Sequence, residues 1–116
     1  MRYMLLIYND PADAPALDSP AGREQHDRWF DYTVELREAG VLIAGDPLEG
    51  AETATTVRVR GGERLTTDGP FAETKEILGG YYLIDVDDLD QALAWAGKMP
   101  NITYGTVEVR PVRDFV

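Results

Sequence analysis

Residues 3–8 read Tyr-Met-Leu-Leu-Ile-Tyr, with no polar interruption. In a strand, successive side chains point to opposite faces, so Tyr3, Leu5 and Ile7 take one face and Met4, Leu6 and Tyr8 the other. The run is of strand length and is closed at once by Asn9-Asp10-Pro11. The same doubling recurs in Tyr81-Tyr82-Leu83-Ile84. An antiparallel sheet covered on one side alternates apolar with polar, and these strands do not alternate. Whatever sheet they build needs cover on both faces.

The rest of the chain supplies two helices. Ser19-Pro20 is a cap followed by a first-turn proline, after a loop rich in proline over residues 9–20. From Ala21 to Ala39 the period is helical, with His26, Trp29, Phe30, Thr33 and Leu36 on the expected inward stripe and Asp27, Arg28, Asp31, Glu35 and Glu38 outward. Gly40 stops it. Val41-Leu42-Ile43-Ala44 is a second strand, closed by Gly45-Asp46-Pro47. Residues 55–67 carry a hairpin turning on Gly61-Gly62. After Asp68-Gly69-Pro70 and Gly79-Gly80 come a strand at Tyr81–Val86 and a helix capped by Asp87-Asp88, its inner face expected at Leu89, Ala92, Leu93 and Ala96. A last strand spans Thr106–Arg110. The order β-α-β-(hairpin)-β-α-β specifies an α+β, ferredoxin-like fold with an antiparallel sheet and both helices on one face. The other face is then bare, and a second copy of the sheet is its most economical cover. At 116 residues the chain is expected to form a single domain over 1–116 and to hide about two-thirds of its extended surface.

Charge removes several function classes. Eleven Lys+Arg against 21 Asp+Glu give a net charge of -10, which opposes the phosphate neutralisation that nucleic-acid binding requires. No apolar run approaches the ~20 residues of a membrane span, and the opening MRYMLLIY is too short for a signal peptide; a cytoplasmic location is the expectation. There is no cysteine, hence no thiolate nucleophile or disulfide frame. Gly61-Gly62 and Gly79-Gly80 lack the Lys-Ser/Thr of a phosphate loop, no GxSxG elbow is present, and no spacing suggests a metal site. No cofactor is expected.

Three places could carry chemistry. His26, the one histidine, is the one side chain whose ordinary titration range lies near neutrality; it is either an acid–base group or a packed imidazole bonded to a carbonyl. Asp46 could orient that imidazole or serve as the Asx residue of a turn before Pro47. Asp68-Gly69-Pro70-Phe71-Ala72-Glu73-Thr74-Lys75-Glu76 could be a site loop offering Asp68, Glu73 or Lys75, or a rigid turn whose Phe71 plugs the core. Phe71 is expected to be mostly buried.

That last stretch, with Gly79-Gly80-Tyr81-Tyr82, Arg2-Tyr3-Met4-Leu5-Leu6, Ala39-Gly40-Val41-Leu42 and Val107-Glu108-Val109-Arg110-Pro111, resembles the YCII-related superfamily. Specifically, it resembles the DGPF branch, named for the motif that stands here at residues 68–71. The resemblance implies a dimeric α+β barrel of the muconolactone-isomerase kind, in which two sheets pack together. It also implies a His–Asp active-site pair, carried here by His26 with Asp46 or Asp68, and lyase or isomerase chemistry on small ring compounds. Tyr8, Trp29, Phe30, Phe71 and Lys75 are then the expected substrate contacts. The alternative it implies is a noncatalytic dimeric ligand-binding or regulatory module, associated with sigma factors.

Overall fold

Ser19 Oγ accepts a hydrogen bond from the Gly22 N–H at 3.0 Å, and Pro20 fills the first turn with its preset φ, so α1 (Pro20–Glu38) starts where cap and proline coincide. In the second half, Asp88 Oδ1 accepts from Gln91 N–H at 2.9 Å and opens α2 (Leu89–Ala96). The computed structural model describes residues 1–115. Around the two helices it sets β1 (Arg2–Asn9), β2 (Leu42–Pro47), β3 (Thr55–Arg60), β4 (Glu63–Asp68), β5 (Ile77–Asp85) and β6 (Thr106–Pro111).

Four strands form one antiparallel sheet in the order β2-β5-β1-β6, and β3-β4 form a separate hairpin. Gly61 and Gly62, at φ 59° and 78°, make the two-residue turn that a right-twisted hairpin prefers. The ferredoxin-like α+β topology read from the sequence is the one observed.

Both helices lie against the face carrying Tyr3, Leu5, Ile7, Tyr82 and Ile84, all buried, together with Tyr32, Leu36, Ala92 and Met99. Aromatic rings dominate the centre. Tyr32 sits edge-on to Trp29, Tyr82 and Trp95, and Trp29 stacks on Tyr82 with centroids 6.3 Å apart. The Tyr32 hydroxyl donates to the Trp95 carbonyl at 2.7 Å, tying α1 to α2.

The opposite face carries Met4, Leu6 and Tyr8 beside Leu83 and Tyr81, all half-buried, and among the described residues no helix lies over them. The Glu108–Arg110 ion pair borders this apolar strip on the β6 side. On the β2 side the Tyr81 hydroxyl donates to Asp46 Oδ2 at 3.0 Å.

Three expectations need correction. Phe71 is 77% exposed, because the hairpin that leads to it has no helix beneath it among the described residues; its ring lies under the Arg58 guanidinium, 5.4 Å from the centroid. Leu89 and Leu93 stay about half exposed, since α2 approaches the sheet through the small Ala92 and Ala96. The inward stripe of α1 runs through Trp29, Tyr32 and Leu36, about 90° around the helix from His26 at 100° per residue.

Candidate functional site

The displaced stripe has a use. His26, Phe30, Thr33 and Arg37 share one side of α1, the other three within about 40° of His26, and all four line a cavity of about 540 Å³ between α1 and the β2–β5 edge of the sheet. Such a volume lies within the range of small-molecule sites. Trp29, Tyr82 and Tyr104 give it further aromatic wall.

The cavity exists because side chains are missing. Along β5, Gly80 has the inward parity of Tyr82 and Ile84, so a side chain there would project into the space. Gly79 is the unpaired residue of a β-bulge, since Ile7 pairs with Gly80 while Tyr8 pairs with Leu78. Gly45 makes room for Tyr82: a Cβ there would stand 2.5 Å from the tyrosine ring. The lip comes from residues 14–17. Ala16 approaches α1 so closely that a Cβ on Gly22 would lie 1.8 Å from its carbonyl oxygen, and this brings Ala14, Pro15 and Leu17 to the rim.

The polar groups have fixed partners. Thr33 Oγ1 donates to the Trp29 carbonyl at 2.9 Å and is hydrogen-bonded to Tyr82 Oη at 2.6 Å. Gln25 Nε2 donates to Tyr104 Oη at 2.8 Å. Asn9, on the wall, accepts from the fully buried Asn101 at 2.9 Å. Burial pushes the Tyr82 and Tyr104 hydroxyls above their usual phenol range. Tyr81 is also raised, first by its hydrogen bond to the Asp46 carboxylate and then by that group's charge.

The sequence-derived residues separate into three groups. His26, Trp29, Phe30 and Asp46 line the cavity together. Tyr8 and Lys75 line a second, wider depression with Asp10, Asp13, Glu76 and Glu108, where Lys75 Nζ stands 3.8 Å from Asp10 Oδ2. Asp68 ends β4 and, with Phe71, belongs to the hairpin region, lining neither space.

Asp46 is not the turn residue that its place before Pro47 suggests; it is a member of β2, opposite Tyr81. The imidazole is 79% exposed, and the carboxylate beside it is Asp27, 3.9 Å from Nδ1. Among the described residues, no group of three or more His, Asp or Glu is placed to hold a metal ion, and no helix is long and apolar enough to cross a membrane.

Sequence reasoning missed Arg37, Gln25, Tyr82 and Tyr104. Arg37 was visible as the partner of His26 at an interval of eleven positions, which returns to nearly the same side of a helix.

The chain is 40% identical to an uncharacterised protein of Rhizobium meliloti (strain 1021), over 97% of its own length and 92% of that protein's. Its structure is similar to that of 5-chloro-2-hydroxyhydroquinone dehydrochlorinase (TftG) from Burkholderia phenoliruptrix AC1100, solved in complex with 2,5-dihydroxybenzoquinone. There the TM-score is 0.59 and the identity 13%, over 97% of this chain and 94% of that one; a likeness at that identity is one of fold. The family model described as the YCII-related domain matches residues 1–116. The chain therefore belongs to the YCII-related domain family.

Proposed function

We propose that the chain is a small-molecule acid–base enzyme, a lyase or isomerase that takes a planar ring compound into the α1–β5 cavity. The observation carrying this reading is that the single histidine of the chain stands on the wall of an aromatic-lined space of ligand size. Trp29, Phe30 and Tyr82 offer faces and edges on which a ring packs. A neutral His26 imidazole takes a proton from an acidic position of the bound ring. The imidazolium then returns that proton at a second ring position, giving isomerisation, or delivers it to a departing group, giving elimination. Of the two aspartates, Asp46 borders the cavity and Asp68 does not; the Asp46 carboxylate is held by the Tyr81 hydroxyl on the other face of the sheet, so its part in this reading is to hold the β2 wall rather than to pair with the imidazole. The working unit is a homodimer joined through the Met4-Leu6-Tyr8 face of the sheet.

A second reading, a noncatalytic ligand-binding module, draws support from the lack, among the described residues, of any hydrogen bond orienting the imidazole. Titrating the protein with 2,5-dihydroxybenzoquinone and a panel of phenols and lactones, read by NMR of the single imidazole, separates these. Saturable shifts of the ring signals, and loss of turnover with an unchanged melt in His26→Asn, are expected of the enzyme. Saturable binding that His26→Asn leaves intact identifies the module. Imidazole signals that ignore the whole panel overturn the cavity as a ligand site.

A further inference from the structure

His26 and Arg37 are eleven residues apart on α1, which places their Cα atoms about 16 Å apart along the axis and within about 20° of the same direction. Both line the one cavity, with Phe30 and Thr33 between them. Arg37 is the one Lys or Arg among the lining residues, and it forms no ion pair among the described residues. Asp46, on the β2 wall, keeps its carboxylate on the other face of the sheet with the Tyr81 hydroxyl. Helical side chains lean toward the N-terminus, so the Arg37 guanidinium is directed back along the stripe toward Thr33. The cavity thus has an acid–base group toward one end, an aromatic floor, and a fixed positive charge toward the other.

We propose that the ligand is a ring compound carrying a carboxylate on a short arm, with the ring beside His26 and Phe30 and the carboxylate on Arg37. This rests on the cavity being the substrate site. Geometry sets the length. A single unsubstituted ring placed against His26 cannot also reach a guanidinium roughly 10 Å or more away, so the arm is what uses the second half of the space. Chemistry sets the charge. A guanidinium presents parallel N–H donors matched to the two oxygens of a carboxylate, and Arg37, exposed at the cavity rim, is open to an incoming one. Arg37 is therefore a specificity residue. It selects an acid over its neutral analogue and fixes which ring position faces the imidazole.

The test compares para-hydroxyphenylpropanoate with its neutral amide, and para-hydroxybenzoate with its amide. Affinities are read from tryptophan fluorescence and from NMR shifts of the His26 imidazole. The longer acid is expected to bind about tenfold or more tightly than its amide, the worth of one charge-assisted contact, with little preference in the benzoate pair, whose acid is too short to reach. Arg37→Gln should bring the longer acid down to the affinity of its amide, and Arg37→Lys should restore part of the preference. Thermal melts of both variants check that α1 is intact. Acid and amide binding equally, both moving the His26 signals, overturns the assignment to Arg37 and leaves the cavity reading standing. A preference for the acid that survives Arg37→Gln also overturns it. Neither compound binding, with a silent imidazole, overturns the assignment and the cavity reading together.

Discussion

Leu6→Glu should separate the proposed dimer while leaving the fold of each chain in place. The isolated chain exposes 8226 Å², against roughly 6,300 Å² for a compact monomer of this mass. Its radius of gyration is 16.1 Å, against about 13.4 Å for a compact domain of this length. The excess, about 1,900 Å², is ample for a standard interface, which hides about 800 Å² per partner. Its anatomy also fits: Met4, Leu6 and Leu83 form an apolar centre, with Glu108–Arg110 and Asp46–Tyr81 as polar borders. Leu6 pairs with Tyr81 on one side and Glu108 on the other, so it stands in the middle of that strip.

A carboxylate placed there and covered by a partner stands directly opposite Glu108, which already holds the Arg110 guanidinium, so its burial costs about 3 kcal/mol or more. That raises the dissociation constant more than a hundredfold. In the free monomer the same side chain reaches water, so the melt of dilute protein should move little. Sedimentation equilibrium at micromolar concentration reads the outcome: a species of twice 12.9 kDa for the wild type and one of 12.9 kDa for Leu6→Glu. A wild-type monomer at tens of micromolar, or a variant that remains dimeric, refutes the placement of the interface on this face.

Gly80→Val should abolish ligand binding in the cavity, because its side chain enters the space that the missing one creates; a Cβ there stands 3.0 Å from the Asp46 carbonyl oxygen, so some loss of stability accompanies it, and full ligand affinity in a folded Gly80→Val protein would show that the cavity is elsewhere. Stability should fall on the alkaline side: burial holds the Tyr32 and Tyr82 hydroxyls protonated above the usual phenol value of 10.0, so the unfolded chain loses these protons first, and stability complete below about pH 10 declines as the pH rises beyond it. Urea melts from about pH 8 to about pH 11 should show that decline, shallower in Tyr32→Phe; a flat profile contradicts the burial argument.

What the sequence made legible was local. The Ser19 and Asp88 caps, the Gly61-Gly62 turn and the alternation of strands with helices follow from near-neighbour chemistry and survive folding unchanged. The doubled apolar pattern of β1 also translates directly into two sheet faces. The rotation of α1 did not, because Trp29 and Phe30 pull the apparent stripe toward His26, while Tyr32 carries a hydroxyl and has acidic neighbours. In the fold that hydroxyl finds the Trp95 carbonyl, a partner 63 residues away in sequence.

Asp46 looked like a turn residue because Gly-Asp-Pro favours turns, yet pairing with β5 extends the strand through it; tertiary contacts outweigh that propensity. Phe71 looked like core because most large aromatics are. Arg37 attracted no notice because a basic residue in the last helical turn is already accounted for by the macrodipole. The cavity was illegible for a different reason. It is defined by what Gly45, Gly79 and Gly80 lack, and a glycine in a strand reads equally as a weak point or a bulge until its neighbours are known.

The two faces of the sheet meet at one residue pair. Asp46 pairs with Tyr81 on the outer face, yet it lies on β2, the edge strand that walls the cavity, and it lines that cavity. An edge strand has ladder partners on one side only, so β2 is held by β5 and by what its side chains bind. A partner laid over the outer face covers the Asp46–Tyr81 hydrogen bond and makes its loss more costly, because a buried carboxylate without a donor is strongly disfavoured. Assembly through that face would therefore stiffen the wall of the cavity on the other. If the dimer forms through Met4, Leu6 and Leu83, Tyr81→Phe should weaken ligand binding through loss of that restraint, although Tyr81 need not touch the ligand with its hydroxyl. The effect should shrink in Leu6→Glu, where water already reaches Asp46. Equal losses in the two backgrounds would mean that the hydroxyl acts on the cavity without help from the partner.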